Sequence, residues 1–274
     1  MKFADLHLHT LFSDGTFSPG ELVAEAKAAG LSAIAVCDHD TVEGIPLCIE
    51  EGKKVGIEVI PAIELTSEYE GLEIHVLGYF LDYTRLHLVR KLESLRKYRI
   101  ERVYKITGKL KAQGVDLDPA KVFAIAREGV VGRLHIARAL FNEGFVSSTQ
   151  EAFYKYIGDK CPSYVAGFRF TPKEALNLIK DSGGVPVLAH PYLIRNDEYI
   201  QKFINDGIMG LEVYYPEHSQ SDVNYFLNLA REHNLLVTGG SDCHGKAKAE
   251  IRIGAIKLPY ELVEKIKSAC PKIK

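Results

Sequence analysis

Short runs rich in Val, Ile, Leu and Ala recur along the chain, separated by segments of helical period. Seven such runs predict strands: Phe3–Leu6, Ala33–Cys37, Glu58–Ile63, Ile74–Phe80, Val185–Ala189, Leu211–Tyr215 and Leu236–Thr238. Most are nearly continuous in apolar residues, as strands covered on both faces are. The helices between them carry start and stop signals. Ser18-Pro19-Gly20-Glu21 reads as a capping box with proline in the first turn, and Gly30 as its stop. Thr171-Pro172-Lys173-Glu174 repeats the device and runs to Gly183-Gly184, while Glu43–Lys54 and Gln220–His233 predict two further helices. Strand–helix alternation predicts a parallel sheet with helices outside.

The alternation stops between about Leu86 and Tyr164, where the pattern predicts only helices: Leu86–Lys111, Pro119–Arg127, Leu134–Asn142 and Thr149–Ile157. The chain therefore divides into a strand-bearing part, 1–84 and 166–274, and a helical insertion, 85–165, between the fourth and fifth strands. Charge follows the same division. Arg85 to Arg138 holds 14 Lys/Arg against 5 Asp/Glu, although the whole chain has a net charge of −2. A charge run is ordinarily a solvated face; the sharper reading is a basic lid over an anionic substrate.

A chain of 274 residues with 46% hydrophobic and 26% charged residues fits one soluble domain with a sizeable core. Met1-Lys2-Phe3-Ala4-Asp5 lacks an apolar signal region, and no run approaches the ~18 apolar residues of a membrane span. The five scattered cysteines form no C-x-x-C, which fits reduced thiols. The expectation is a cytoplasmic protein without a membrane or stable protein partner.

Candidate chemistry lies at the strand ends. Asp5, His7 and His9 alternate and share one face of an extended chain. Asp14 follows in a Ser-Asp-Gly turn, His39 closes the second strand and Glu64 the third. His75 lies on the fourth, His190 ends the fifth, and Asp242 and His244 follow the seventh. One histidine at a strand end is usually structural. Six strands presenting His or carboxylate groups at the same end predict a hydrolytic metal site at a barrel mouth. Asp5, Asp38 and Asp40 are candidates for orienting the ligand imidazoles, and Cys243 reads as structural.

DLHLHTLFSDGTFSP, VCDHDTVEG, the Glu64 segment, HVLGY, LAHP and GSDCHG, in this order, resemble the motifs of the PHP (polymerase and histidinol phosphatase) superfamily. The resemblance implies an α/β fold, a distorted (β/α)7 barrel, with two or three divalent ions (Zn, Mn or Fe) at its mouth. It implies His7, His9, Glu64 and Asp242 as ligands of one ion and Asp14, His39 and His244 as ligands of a second. Glu64, His75 and His190 would hold a third, with Glu64 bridging.

Inside the insertion, Gly132-Arg133-Leu134-His135-Ile136-Ala137-Arg138 reads first as a helix start with an incidental histidine. It also resembles the motif of PHP proteins with a helical insertion that act on nucleotide phosphates: 3′,5′-nucleoside bisphosphate phosphatases and 5′→3′ exoribonucleases. Arg133 and His135 would then contact the phosphate. Tyr164, Phe168 and Tyr192 are candidates for stacking a base. The expected reaction is phosphoester hydrolysis of a small nucleotide or short RNA by a metal-bound hydroxide, with His135, His190 or His218 as the general acid. The competing readings are a histidinol-phosphate-type phosphatase and a non-catalytic metal-binding or regulatory module.

Overall fold

The computed structural model describes residues 2–166 and 170–270. In chain order its elements begin β1 (Phe3–Leu8), α1 (Pro19–Ala28), β2 (Ala33–Val36), α2 (Gly44–Val55), β3 (Glu58–Tyr69) and β4 (Leu72–Tyr79). The helical segment follows as α3 (Leu86–Ala112), α4 (Pro119–Ala126), α5 (Arg133–Asn142) and α6 (Thr149–Ala152), the last running into a π turn over Phe153–Ile157. The chain returns to the sheet through α7 (Pro172–Asp181), β5 (Val185–Leu188), α8 (Asp197–Asn205), β6 (Gly210–Tyr214), α9 (Gln220–Glu232), β7 (Leu236–Gly239), β8 (Leu258–Pro259) and α10 (Tyr260–Ser268).

Both predicted capping boxes form, at Ser18/Glu21 and Thr171/Glu174. The eight strands lie in the order β7-β6-β5-β4-β3-β2-β1-β8. β7 returns to β1: Asp242 N–H donates to His7 O at 2.9 Å and His9 N–H to Cys243 O at 3.2 Å. The result is a nearly closed distorted barrel. Gly240 permits that closure, since a Cβ there would stand 2.3 Å from His7 Cβ.

Two features depart from the expected parallel sheet. β3 and β4 form an antiparallel hairpin over eight paired positions, and β4 is also antiparallel to β5. The two-residue turn between them has positive φ at both Glu70 (49°) and Gly71 (79°), the conformation that matches strand twist in a tight hairpin. β8 adds an antiparallel edge to β1.

Alternation along β2 sends its two sides to different cores. Ile34 and Val36 cluster with Leu22, Val23 and Ala26 of α1, whereas Ala35 and Cys37 join Leu77, Tyr79 and Val187. α3 is shared in a similar way. Its first turns put Leu88, Leu92 and Leu95 on the barrel cluster, while Val103, Ile106 and Leu110 meet Val122, Ile136 and Leu140 in a separate core. Two buried ion pairs tie the helical segment to the strands: Arg99 to Asp40 at 2.6 Å and Arg102 to Glu73 at 2.8 Å. Removing one partner of such a pair strands a buried charge and costs about 3–5 kcal/mol. Among the described residues, no helix is long and apolar enough to cross a membrane.

Candidate metal centre

Glu64 is the centre of the cluster. Its Oε2 lies 3.2 Å from His7 Nε2, 3.3 Å from His9 Nε2 and 3.2 Å from His39 Nδ1. Its Oε1 lies 2.9 Å from His75 Nδ1 and 3.1 Å from His190 Nε2. Asp242 Oδ1 is 3.0 Å from His9 Nε2, and His244 Nε2 is 3.2 Å from Asp14 Oδ1. Three overlapping groups have donor atoms close enough to share an ion: His7, His9, Glu64 and Asp242; His9, Asp14, His39 and His244; His39, Glu64 and His75. The hairpin explains how His75 joins them. It sits early in β4, opposite Thr66, so the reversed strand delivers its N-terminal half to the end where β3 presents Glu64.

The donors fit a cation better than they fit one another. His7 Nε2, His9 Nε2, His39 Nδ1 and Asp14 Oδ1 are buried and have no hydrogen-bond partner, although carboxylate or imidazole atoms surround them. Buried polar atoms are rarely left unpaired without a functional reason. Burial alone would raise the Glu64 and Asp14 pKa values, but the surrounding imidazoles hold both carboxyls well below the usual range. Burial also drives His39 well below its ordinary value. Ionised carboxylates and a neutral imidazole are the forms that bind metals; against the effect of burial, the neighbouring carboxylates raise His7, His9 (to about 9) and His75 (to about 10), so a cation there would take the place of protons on these three.

The groups that orient this cluster differ from those expected. Glu212 on β6 accepts from His7 Nδ1 at 2.8 Å and from His190 N–H at 2.8 Å. Glu73 on β4 lies 3.1 Å from His75 Nε2. Asp5 instead accepts from Ser241 N–H and Gly254 N–H, at 2.8 and 2.9 Å, and so fixes the turn after β7. Asp40 is taken by Arg99 and by Thr66 N–H. Asp38 gathers Thr10 and Ser13, bracing the turn that carries Asp14. Neither Asp5 nor Asp40 hydrogen-bonds a ligand imidazole. Cys243 is buried, its thiol directed to Ile251 O. His190 and Asp242 both have positive φ, 27° and 53°; such strain costs on the order of 1–3 kcal/mol and gathers at functional sites.

A cavity of about 210 Å³ opens above the cluster, with Arg133, Leu134, Phe153, Leu193, Tyr215 and Lys248 on its walls. Arg133 Nη2 is 3.0 Å from Glu73 Oε1 and its Nη1 is 2.6 Å from Asp159 Oδ1. Its guanidinium carbon lies 5.3 Å from the Tyr164 ring centre. His135 does not line this cavity. It is 1% exposed, and its Nδ1 accepts Gly132 N–H at 3.0 Å, capping α5. Burial depresses it to about 4. His218 is also absent from the cavity wall. The turn after β6 folds back through His218 N–H to Tyr215 O, and His218 Nδ1 donates to Val213 O at 2.8 Å. Of the stacking candidates, Tyr192 lies in a separate groove, Tyr164 packs beneath Arg133, and Phe168 lies outside the described residues. Phe153 and Leu193 occupy the cavity wall instead.

Comparison with known proteins follows the same lines. The family model for the PHP domain matches residues 5–127. A 5′-3′ exoribonuclease of Haemophilus influenzae is 34% identical over 250 residues, covering 89% of this chain and 90% of that protein. A 3′,5′-nucleoside bisphosphate phosphatase of Chromobacterium violaceum is 30% identical over 263 residues, covering 93% and 91%. A candidate metal-dependent phosphoesterase of Bifidobacterium adolescentis has a TM-score of 0.89 at 31% identity, covering 98% of this chain and 97% of its own.

Proposed function

Because the chain belongs to the PHP family and is a metal-dependent phosphoesterase, we propose that it hydrolyses phosphate esters of small nucleotides, such as nucleoside 3′,5′-bisphosphates, or of short oligoribonucleotides. The observation that carries this reading is Glu73. Its Oε1 stands 3.1 Å from His75 Nε2 and 3.0 Å from Arg133 Nη2, so one carboxylate joins the phosphate-binding arm to the metal cluster. Two relatives that span most of the chain act, by their names, on nucleotide or RNA phosphates.

His7, His9, Glu64 and Asp242 would hold one ion, and Asp14, His39 and His244, with His9, a second. Glu64, His75 and either His39 or His190 would complete a third. Divalent ions there supply Lewis acidity to a phosphoryl oxygen and activate a water; Zn, Mn and Fe all suit mixed His/carboxylate donors. Arg133 then takes the non-bridging oxygens through its planar fork. His135 acts through it, by capping the first turn of α5 so that Arg133 projects from a fixed position. Four histidines, His39, His75, His190 and His244, line the cavity; with His39 completing the third group, His190 stays outside the donor sets and would be the one left to protonate the leaving oxygen.

Phosphate release from adenosine 3′,5′-bisphosphate, a short RNA and histidinol phosphate, with Mn, Zn or Fe each supplied to metal-stripped protein, tests the reading. Turnover of histidinol phosphate above both nucleotides overturns it in favour of the histidinol-phosphatase alternative. Full activity in the stripped protein removes the metal, and binding without turnover leaves a regulatory module.

A further inference from the structure

Lys248 belongs to no part of the metal cluster, yet its ammonium reaches it. It ends a short 3-10 turn, Gly245–Lys248, directly after the β7 ligand segment. Its Nζ lies 2.8 Å from Asp242 Oδ2, an oxygen that also accepts from Tyr215 OH at 3.1 Å. Asp242 thus divides its carboxylate, with Oδ1 toward the imidazoles and Oδ2 toward Lys248 and Tyr215. The turn is fixed to the loop after β1, since Lys246 N–H donates to Thr16 Oγ1 at 2.8 Å and Thr16 N–H to His244 O at 3.2 Å.

The position is electrostatically costly for a metal site. An ammonium that shares a carboxylate with a divalent ion repels that ion, and the repulsion is weakly screened in a partly buried cavity. An anion between the two removes the conflict. Lys248 lines the same cavity as Arg133, but the two are anchored on different carboxylates. Arg133 is held by Glu73 on β4, and Lys248 by Asp242 beyond β7. The mouth therefore has two cationic arms.

Resting on the nucleotide reading above, we propose that Lys248 binds a second phosphate of the substrate. It would select molecules that carry another phosphate beside the scissile one, a nucleoside bisphosphate or an internucleotide phosphate, over simple monoesters. A lysine suits this role as a mobile point charge that can exchange Asp242 for phosphate, where Arg133 provides a fixed fork.

The test is titration calorimetry of the metal-loaded protein with phosphonate analogues of adenosine 3′,5′-bisphosphate and adenosine 5′-monophosphate that cannot be hydrolysed, alongside metal analysis and phosphate release from the two nucleotides. The wild type should bind the bisphosphate analogue at least ~10-fold more tightly, as expected of an added charge-assisted contact. Lys248→Met should bring that ratio close to one with bound metal retained, and Lys248→Arg should restore most of it. A wild type that does not discriminate overturns the proposal. So does a Met variant that keeps the ratio, or one that loses metal, which would make Lys248 a support for Asp242. If the binding pattern holds but neither nucleotide is hydrolysed, the nucleotide-hydrolase reading fails while Lys248 keeps its role.

Discussion

Glu212 Oε1 accepts a 2.8 Å hydrogen bond from His7 Nδ1, which fixes the His7 tautomer and turns Nε2 toward Glu64. The other Glu212 oxygen holds the His190 backbone N–H at 2.8 Å. One buried carboxylate therefore sets two cluster histidines. Glu212→Ala should weaken metal affinity by about 10–100-fold, the usual effect of removing a group that orients a ligand imidazole. Metal titration of the stripped variant measures it, and wild-type affinity would show that barrel packing alone orients His7.

Arg133 lines the cavity but makes no ion pair with a cluster carboxylate other than through Glu73. Arg133→Ala should lower kcat/KM for a phosphate substrate by roughly 10²–10³, the range for losing one preorganised oxyanion donor. Bound metal should stay at the wild-type level. Loss of metal in parallel would mean that the Glu73–Arg133 pair supports His75 rather than substrate.

Gly240 sits against His7 where β7 meets β1. Gly240→Ala puts a methyl 2.3 Å from His7 Cβ, so one of the two strands must shift. Overpacking of this kind costs about 1–3 kcal/mol. The distinctive outcome is a lower Tm together with weakened metal binding. A drop in Tm with metal affinity intact would place the strain elsewhere.

His135 gives a pH dependence with a definite sign. Buried in the folded chain it titrates near 4, whereas an unfolded histidine titrates near ~6.5. Between those values the unfolded chain binds the extra proton, so stability falls as pH drops from about 6.5 toward 4 and is insensitive to this group above 7. The full difference is of order 3 kcal/mol. Gln at this position keeps an acceptor for Gly132 N–H without titrating. Denaturation midpoints of wild type and His135→Gln should diverge in steepness across that range, and parallel curves would show that His135 does not carry the effect.

Much of the site was legible because its donors crowd into short motifs at strand ends. Residues such as His39 and Asp242 need only a strand and a stop to be placed. Direction was harder to read. An apolar run such as Ile74–Phe80 looks alike whichever way it travels, and the extension of β3 to Tyr69 hid the hairpin. Glu212 was silent for a related reason. A single glutamate within Leu-Glu-Val belongs to no motif, and its partner, His7, is 205 residues away in sequence. His218 was misleading because a backbone turn, rather than its residue type, decides which way it faces. α8 and α10 went unread although Asn196 caps the first; both lie outside the motifs and serve the barrel's packing.

The tip of the β3–β4 hairpin, far along the ladder from any donor atom, acts as the ruler for the site. Glu64 and His75 come from opposite arms, and their relative height depends on a two-residue turn at Glu70-Gly71. Side chains alternate with a period of two, so a slip of one residue at that turn would carry His75 to the opposite face of the sheet. The spacing of the metal cluster is thus encoded partly in a surface turn that touches neither ion nor substrate, and changes there can silence the site from a distance.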